Sequence, residues 1–145
     1  MNRKALIKVV GKQYYGKEND KIELTTVGSF EETGSSYILR YNEEQEPPVA
    51  PVKTTLNVSK DEKTVQLLRE GKNGSLLIIE RSKRNLCNYP TDFGDILMGI
   101  YGKNIEISNK ENGGTIRFDY DIDINGAISS RNEVEVTYKL KRLTN

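Results

Sequence analysis

Two stretches of the chain alternate apolar and polar residues without a break. The first runs from Thr115 to Ile124, and the second, which follows Asn125-Gly126, runs from Glu133 to Lys141. A period of two is the pattern of a β-strand with one buried face and one solvated face. Two long strands of this kind, with an Asn-Gly turn between them, predict an antiparallel sheet that is buried on one side only.

The remainder of the chain repeats strand-length segments that are separated by short turn sequences. No window of about 11 residues shows helical periodicity. The pattern predicts eight to nine strands, over residues 4–14, 22–30, 37–41, 53–59, 64–69, 75–80, 96–107, 115–124 and 133–140. A sheet of this size curls, and near-sequential hairpins favour an all-β, antiparallel up-and-down barrel. We expect one such domain over residues 1–145.

The composition excludes several classes of function. The 145 residues include no histidine, so Ser-His-Asp or Cys-His catalysis and nearly all zinc sites are excluded. The 22 basic and 21 acidic residues nearly balance, so no overall charge draws the protein to nucleic acid or to a membrane. We therefore expect a protein that is not an enzyme and needs no cofactor. We expect no membrane partner, and the charge balance disfavours nucleic acid.

The cysteine content and the N-terminal sequence bear on location. Cys87 is the only cysteine, so it cannot form an internal disulfide. Without a histidine partner, we interpret it as a small buried or half-buried side chain rather than a nucleophile. Lys8 interrupts the N-terminal apolar run, which is not a signal peptide, and no stretch is long and apolar enough to span a membrane. These features favour the cytoplasm.

Two segments break the strand pattern. Residues 43–51 are rich in Pro and Glu and hold three of the four prolines. Because proline cannot donate to a central ladder, this segment is predicted to be an exposed loop. The second segment, Tyr89 to Gly94, includes Pro90 and is interpreted either as a corner of the barrel or as a ligand contact.

The stretch from Asp121 to Asn132 resembles a calcium-binding EF-hand loop. Its acids and its glycine match that pattern, but the last position is Asn132, and Glu133 comes one residue late. The flanking residues also have the pattern of strands, whereas an EF-hand needs helices. We therefore predict no metal site here.

Five short motifs lie in order along most of the chain: Tyr41-Asn-Glu-Glu44, Val52-Lys-Thr-Thr-Leu56, Leu68-Arg-Glu-Gly71, Tyr89-Pro-Thr with Gly94, and Gly114 to Ile122 with Tyr120. In this order and spacing, the chain resembles the YwiB-like proteins of low-GC Gram-positive bacteria, a family of unassigned function. The resemblance implies a closed or nearly closed calycin-like, lipocalin-type β-barrel. It brings no catalytic residue and no established ligand. The Pro-rich stretch at Pro47 to Pro51 is longer than the connection expected in that family.

A barrel of about eight strands is either filled by its own side chains or holds one small ligand. Our leading hypothesis is a small, partly apolar ligand in the interior or at the mouth. The candidate ligand-binding residues are Tyr41, Glu43, Arg69, Tyr89, Thr91 and Tyr120. If Arg69 points inward it needs a carboxylate partner, which Glu43 or Glu80 would supply.

The alternative is an interaction module for protein or RNA that uses the outer surface or the Pro-rich loop. A basic patch could combine Arg81-Ser-Lys-Arg84 with Lys139, Lys141 and Arg142, and aromatic side chains nearby could stack on bases. A hydrolase or a metal-dependent enzyme is a third reading, which the absence of histidine makes the weakest. The sequence does not indicate the oligomeric state.

Overall fold

The computed structural model describes residues 2–43, 50–71 and 74–141, and these form an all-β structure. Among them no helix is long and apolar enough to cross a membrane. The ten strands are β1 (Asn2–Tyr15), β2 (Glu18–Glu32), β3 (Ser36–Glu43), β4 (Val52–Ser59), β5 (Thr64–Arg69), β6 (Ser75–Glu80), β7 (Arg84–Thr91), β8 (Gly94–Lys110), β9 (Gly113–Ile124) and β10 (Ala127–Leu140).

The strands form one antiparallel sheet in the order β6-β5-β4-β3-β2-β1-β10-β9-β8-β7. Every ladder except one joins neighbours in the chain, as in an up-and-down barrel. The exception is the ladder between β1 and β10, which runs from Ala5 opposite Leu140 to Tyr14 opposite Arg131. The first and last strands therefore pair along most of their length.

The barrel is nearly closed, and its seam lies between β6 and β7. No continuous ladder joins these two strands in the described residues; side chains and the turn between them bridge the gap. Asn85 Nδ2 donates to the Ile78 carbonyl at 3.4 Å, and the Cys87 thiol donates to the Leu76 carbonyl at 3.3 Å. At the turn, the Ser82 N–H donates to the Gly102 carbonyl at 2.9 Å.

The interior follows from the alternation in the sequence, because residues in phase with each other point to the same side of a strand. Each large aliphatic side chain that is removed from water contributes about 1.5–3 kcal/mol to folding. The aliphatic side chains that are fully buried here include Ile7, Leu39, Leu56, Val58, Val65, Ile79, Ile100, Ile116 and Val136, and the aromatic Tyr138 is fully buried with them. Cys87 is buried as predicted, and burial raises the pKa of its thiol.

The predicted count of eight to nine strands was too low, because β7 was not recognised in the sequence. Tyr89, Pro90 and Thr91 were interpreted as an interruption, yet they continue β7 and pair with β8, with Pro90 opposite Asp95. A proline is tolerated there because β7 has a ladder on one side only in the described part of the chain, so the missing N–H lies at the strand's unpaired edge. The turn is confined to the residues between Thr91 and Gly94.

Two other local predictions can be compared with the structure. Asn125 and Gly126 adopt positive φ angles of 54° and 85°, which confirms the predicted Asn-Gly turn between β9 and β10. The predicted Pro/Glu-rich loop, 43–51, begins one residue too early, because Glu43 is the last residue of β3 and pairs with Val52. Residues 44–49 lie outside the described part of the chain.

Candidate functional site

The inner face of the β3–β6 wall carries three rows of side chains that differ in chemistry. The register places these rows one above the other along the barrel. Two rows are apolar, and the third is polar. The first contains Tyr37, Val58, Val65 and Ile79, the second contains Leu39, Leu56, Leu67 and Leu77, and the third, which we call the polar row, contains Tyr41, Thr54, Arg69 and Ser75.

The barrel end beyond the first row is closed by aromatic side chains. The Phe30 ring stacks between Tyr37 and Tyr138, with centroid distances of 5.9 and 4.9 Å. The Tyr138 hydroxyl donates to Asn109 Oδ1 at 2.6 Å, and burial raises the pKa of Tyr138. We call this the packed end.

The opposite end, at the polar row, opens into a cleft of about 530 Å³. We call this the open end. Its walls come from the β1–β2 hairpin, from β5 to β8, and from β9 and β10. Apolar side chains form much of the lining: Leu67, Leu77, Met98, Ile122 and Val134. Polar groups converge among them from Arg69, Tyr89, Tyr120, Ser130 and Asn132.

Arg69 is the cation in the polar row. One of its terminal nitrogens, Nη2, donates to Glu43 Oε2 at 2.5 Å. Its Nε is buried and has no hydrogen-bond partner among the described residues, and the same holds for Oγ1 of Thr54, which lies directly opposite on β4. The open end therefore contains a buried donor and a buried hydroxyl that the described protein groups leave unsatisfied.

Two tyrosines near Arg69 are held in the protonated form. Burial raises the pKa of Tyr120 to about 12; Tyr89 adds to this effect, and the positive charge of Arg69 opposes it. Burial and the Glu43 carboxylate raise the pKa of Tyr41, again against the effect of Arg69. At neutral pH both hydroxyls are neutral and can donate a hydrogen bond.

The structure brings together five of the six candidate ligand-binding residues. Arg69, Tyr89 and Tyr120 line the cleft, and Tyr41 and Glu43 lie beside Arg69. Thr91 is elsewhere. Its hydroxyl accepts the Phe93 N–H at 3.1 Å and donates to the Gly94 carbonyl, so it stabilises the β7–β8 turn.

Ser130 and Asn132 also line the cleft and were missed in the sequence. Asn132 Nδ2 donates to Ser130 Oγ at 3.1 Å, and both residues are buried. The polar run before Glu133 was not assigned to a strand in the sequence analysis, although it belongs to β10. The alternation of the strand could have identified them. Ser130 and Asn132 lie an even number of residues before the inward Val134, so their side chains point to the same side of β10.

The aspartates of the EF-hand-like stretch have separate partners. Asp123 accepts two hydrogen bonds from Arg84, at 2.8 and 2.7 Å, which lower the pKa of its carboxyl. Asp121 lies 3.0 Å from Lys103 Nζ. Nowhere in the described ranges do three His, Cys, Asp or Glu side chains form a group that could hold a metal ion.

The residues of the proposed basic patch are far apart in the fold. Arg81 forms an isolated β-bridge with Gly102. Gly102 pairs with Tyr120 on β9, and Tyr120 pairs with Asn132 on β10. Lys139 is about 23 Å further along β10, at a rise of about 3.3 Å per residue. Arg142 lies outside the described residues. The patch is therefore not continuous in the part that the structure shows.

Comparison with known proteins finds a family and a fold. The model of the family described as domain of unknown function (DUF1934) matches residues 7–136. The crystal structure of YwiB protein from Bacillus subtilis superimposes with a TM-score of 0.82, over 97% of this chain and 94% of that chain, at 20% sequence identity. At that identity the likeness shows the fold alone. No curated protein matches the chain.

Proposed function

Because the chain belongs to the DUF1934 family, a domain family of unknown function, we propose a function from its own geometry: it binds a small, partly apolar molecule in the cleft at the open end of the barrel. The membership confirms the resemblance to YwiB-like proteins that the motifs indicated. A function does not follow from the fold itself, so the proposal rests on the cleft.

The observation that carries the proposal is the buried Nε of Arg69 beside the cleft, which has no hydrogen-bond partner among the residues that the structure describes. Leaving a buried donor without a partner costs about 1–3 kcal/mol, and native proteins leave few such groups. A ligand with an acceptor oxygen at this position would satisfy the donor. The cleft volume of about 530 Å³ lies within the range of about 300–1,000 Å³ that is usual for small-molecule sites.

The lining also supports a ligand of mixed polarity. Its polar group would contact Arg69 and the Tyr120 hydroxyl, and its apolar part would contact side chains such as Met98 and Ile122. Few, convergent polar groups in a mainly apolar wall are the usual composition of a binding site. The ligand therefore gains affinity from burial and orientation from Arg69.

We propose binding without catalysis. A general base at neutral pH needs a pKa near the working pH, and Tyr120 has a pKa of about 12. The guanidinium of Arg69 offers only N–H donors and no acceptor. These groups are suited to donating hydrogen bonds, and the protein is therefore proposed to be non-enzymatic.

Native mass spectrometry tests the proposal directly. Protein purified gently from its own cells should carry an added mass that is lost on denaturation. The variant Arg69→Met, which keeps a side chain of similar length without the charge, should lose that mass. Arg117→Met is the matched control, because Arg117 forms a similar ion pair with Glu135, at 3.1 Å, on the exposed surface.

A fluorescent probe gives a second readout that does not need the natural ligand. The anionic, apolar dye 8-anilinonaphthalene-1-sulfonate should bind the wild type and Arg117→Met alike. Arg69→Met should bind it about tenfold more weakly, which corresponds to about 1.4 kcal/mol. Equal binding by all three proteins, together with an unmodified native mass, would contradict a site at Arg69.

A second candidate function is an interaction module that binds a protein on the outer face of the seam. Leu68 and Leu76 are neighbours across β5 and β6, and Leu86 and Leu97 lie on the other side of the seam. Each of these side chains is at least 39% exposed. Contiguous exposed apolar side chains mark interaction surfaces. Capture experiments with Leu86→Ser and Leu97→Ser should lose a specific partner if this candidate is correct.

A further inference from the structure

One edge of β2 is unpaired over most of its length. β2 pairs with β1 from Glu18 to Glu31, yet it pairs with β3 only from Ser29 to Glu32. Within the described ranges, the side of β2 that faces away from β1 therefore has no ladder over residues 18–28. A free edge exposes backbone N–H and C=O groups that can pair with another strand.

The ladder between β2 and β3 ends at a close crossing of the two strands. A Cβ atom on Gly28 would lie 2.1 Å from the Arg40 carbonyl oxygen, so only glycine allows this approach. Beyond it, β3 continues through Tyr41 to Glu43 in pairing with β4 and not with β2. The two strands therefore separate, and within the described residues the far half of the β1–β2 hairpin has an unpaired edge.

We propose that this edge pairs with the same edge of a second copy of the chain, antiparallel and about a two-fold axis at Ile22. The paired segment would run from Glu18 to Thr26 in each copy. Natural sheets protect their edges with proline, bulges and charged side chains. This segment has neither proline nor a bulge, and its charged side chains include Lys21 and Glu23, which have opposite signs. The two sheets would join into one continuous sheet. Pairing along a free edge is a recurring mode of protein association.

The charge pattern of the segment selects this register. With Ile22 opposite its copy, Lys21 of each chain lies opposite Glu23 of the other, which gives two favourable cross-strand pairs. Moving the axis to Lys21 places two lysines opposite each other, and moving it to Glu23 places two glutamates opposite each other. Lys21 and Glu23 already attract within one chain, at 2.9 Å, and both side chains are more than half exposed.

The apolar side chain at the axis also fits a second copy. Ile22 is 69% exposed, although it is on the face of β2 that turns inward elsewhere. Its neighbour on β1 is Gly11, whose missing Cβ has nothing within 4 Å. The two copies of Ile22 would pack against each other at the axis and remove apolar surface from water.

Sedimentation velocity over a range of concentrations tests the pairing. The wild type should form dimers at or below about 100 µM, and added salt should weaken them because exposed charges contribute. Lys21→Glu places glutamates opposite each other twice and should raise the dissociation constant at least tenfold. The double variant Lys21→Glu/Glu23→Lys restores both opposite-charge pairs and should restore dimerisation.

Lys110→Glu is the control for this series, because it makes the same charge change on an exposed residue at the β8–β9 turn. It should dimerise as the wild type does. A wild type that stays monomeric over the whole range would overturn the proposal. So would dimers that Lys21→Glu leaves unchanged, or a double variant that behaves like the single one.

Disulfide cross-linking tests which residues of the two copies lie opposite each other. In Ile22→Cys the two introduced thiols face each other across the axis, at a Cα separation of about 4.5–5.5 Å, which a disulfide can bridge. In Asp20→Cys they would lie about 13 Å apart along the strands, which is too far. Mild oxidation should cross-link the first variant only. The native Cys87 is buried, so the wild type should not react. Cross-linking of Asp20→Cys alone would overturn the register.

Discussion

The two ends of the barrel follow the same alternating pattern and differ in what occupies the inward positions. At the packed end these positions hold Phe30, Tyr37 and Tyr138, which stack and exclude water. At the open end they hold the polar row, and a cleft of about 530 Å³ remains. The strand pairing differs as well, because β2 and β3 pair at the packed end and separate toward the open end. The chemistry of the inward residues and this separation together leave a core at one end and a cleft at the other.

The two ends also differ in how many inward polar atoms lack a hydrogen-bond partner among the described residues: the packed end has one, Nε of Arg3 opposite Phe30, and the open end has two. At the packed end the Tyr138 hydroxyl has a partner in Asn109, at 2.6 Å. At the open end Arg69 Nε and Thr54 Oγ1 have no partner in the described part of the chain. Buried polar groups without partners reduce stability, and they persist where the structure serves another purpose. The comparison therefore predicts that stability resides at the packed end and binding at the open end.

The largest effect should come from removing the central ring of the packed end. Phe30 is 4% exposed and stacks against two tyrosines. Phe30→Ala should lower the free energy of unfolding by about 3–5 kcal/mol, as measured by urea denaturation. Phe93→Ala is the control, since that side chain is fully exposed and should change stability little. A loss below about 1 kcal/mol for Phe30→Ala would remove the basis for calling this end the core.

An intermediate effect should appear at high pH and originate at the open end. The pKa of Tyr120 rises from an ordinary value of 10.0 to about 12, so the folded state keeps its proton where the unfolded state loses it. The contribution of Tyr120 to the free energy of unfolding is therefore fully present below pH 10 and is lost between pH 10 and 12. The loss from this residue is at most about 3 kcal/mol. Urea denaturation of Tyr120→Phe should show a smaller fall over that window.

Tyr101→Phe is the reference for the pH series, because Tyr101 is 40% exposed. It should follow the wild-type curve. If Tyr120→Phe also follows that curve, the hydroxyl of Tyr120 is not held protonated by the fold, and the open end is more hydrated than the structure indicates.

The smallest effect should have the opposite sign. Thr54 is fully buried, and its hydroxyl has no partner among the described residues. Thr54→Val replaces that hydroxyl with a methyl group of similar size and should raise the free energy of unfolding by about 1 kcal/mol. Thr54→Ser keeps the hydroxyl and loses a methyl, so it should lower stability by about 1 kcal/mol. A loss of stability in Thr54→Val would show that the hydroxyl is satisfied in solution.

Most of the fold could be predicted from the sequence because the strands are regular. Alternation alone located β9 and much of β10, and Asn125-Gly126 identified the turn between them. β7 was missed because Pro90 and the nearby Gly94 have the appearance of a break. A strand with only one ladder tolerates proline, but the sequence does not show which strands lie at an edge.

The site was predictable in its central residues and not in its boundaries. Arg69 was expected to need a carboxylate, and the structure supplies Glu43. Thr91 was predicted to contact a ligand, but it lies at the β7–β8 turn, away from the cleft. The start of that turn could not be located from the sequence. Asn132 was overlooked because a polar residue on the inner face breaks the alternation that identifies strands. Polar lining is thus the part of a barrel that hydrophobic patterning detects least.

The ladder between β1 and β10 has a consequence for how the chain folds. The other ladders in the described ranges join neighbours in sequence and can form locally, one hairpin at a time. The β1–β10 ladder joins opposite ends of the described chain, so it has the greatest loop-closure entropy to overcome, and we expect its formation to be the slow step. Among the described residues, the seam at β6 and β7 contributes no continuous ladder. A circular permutant opened at Ser82, with its original ends linked, would keep all nine ladders and turn the slow contact into a local hairpin. It should therefore fold faster than the parent chain.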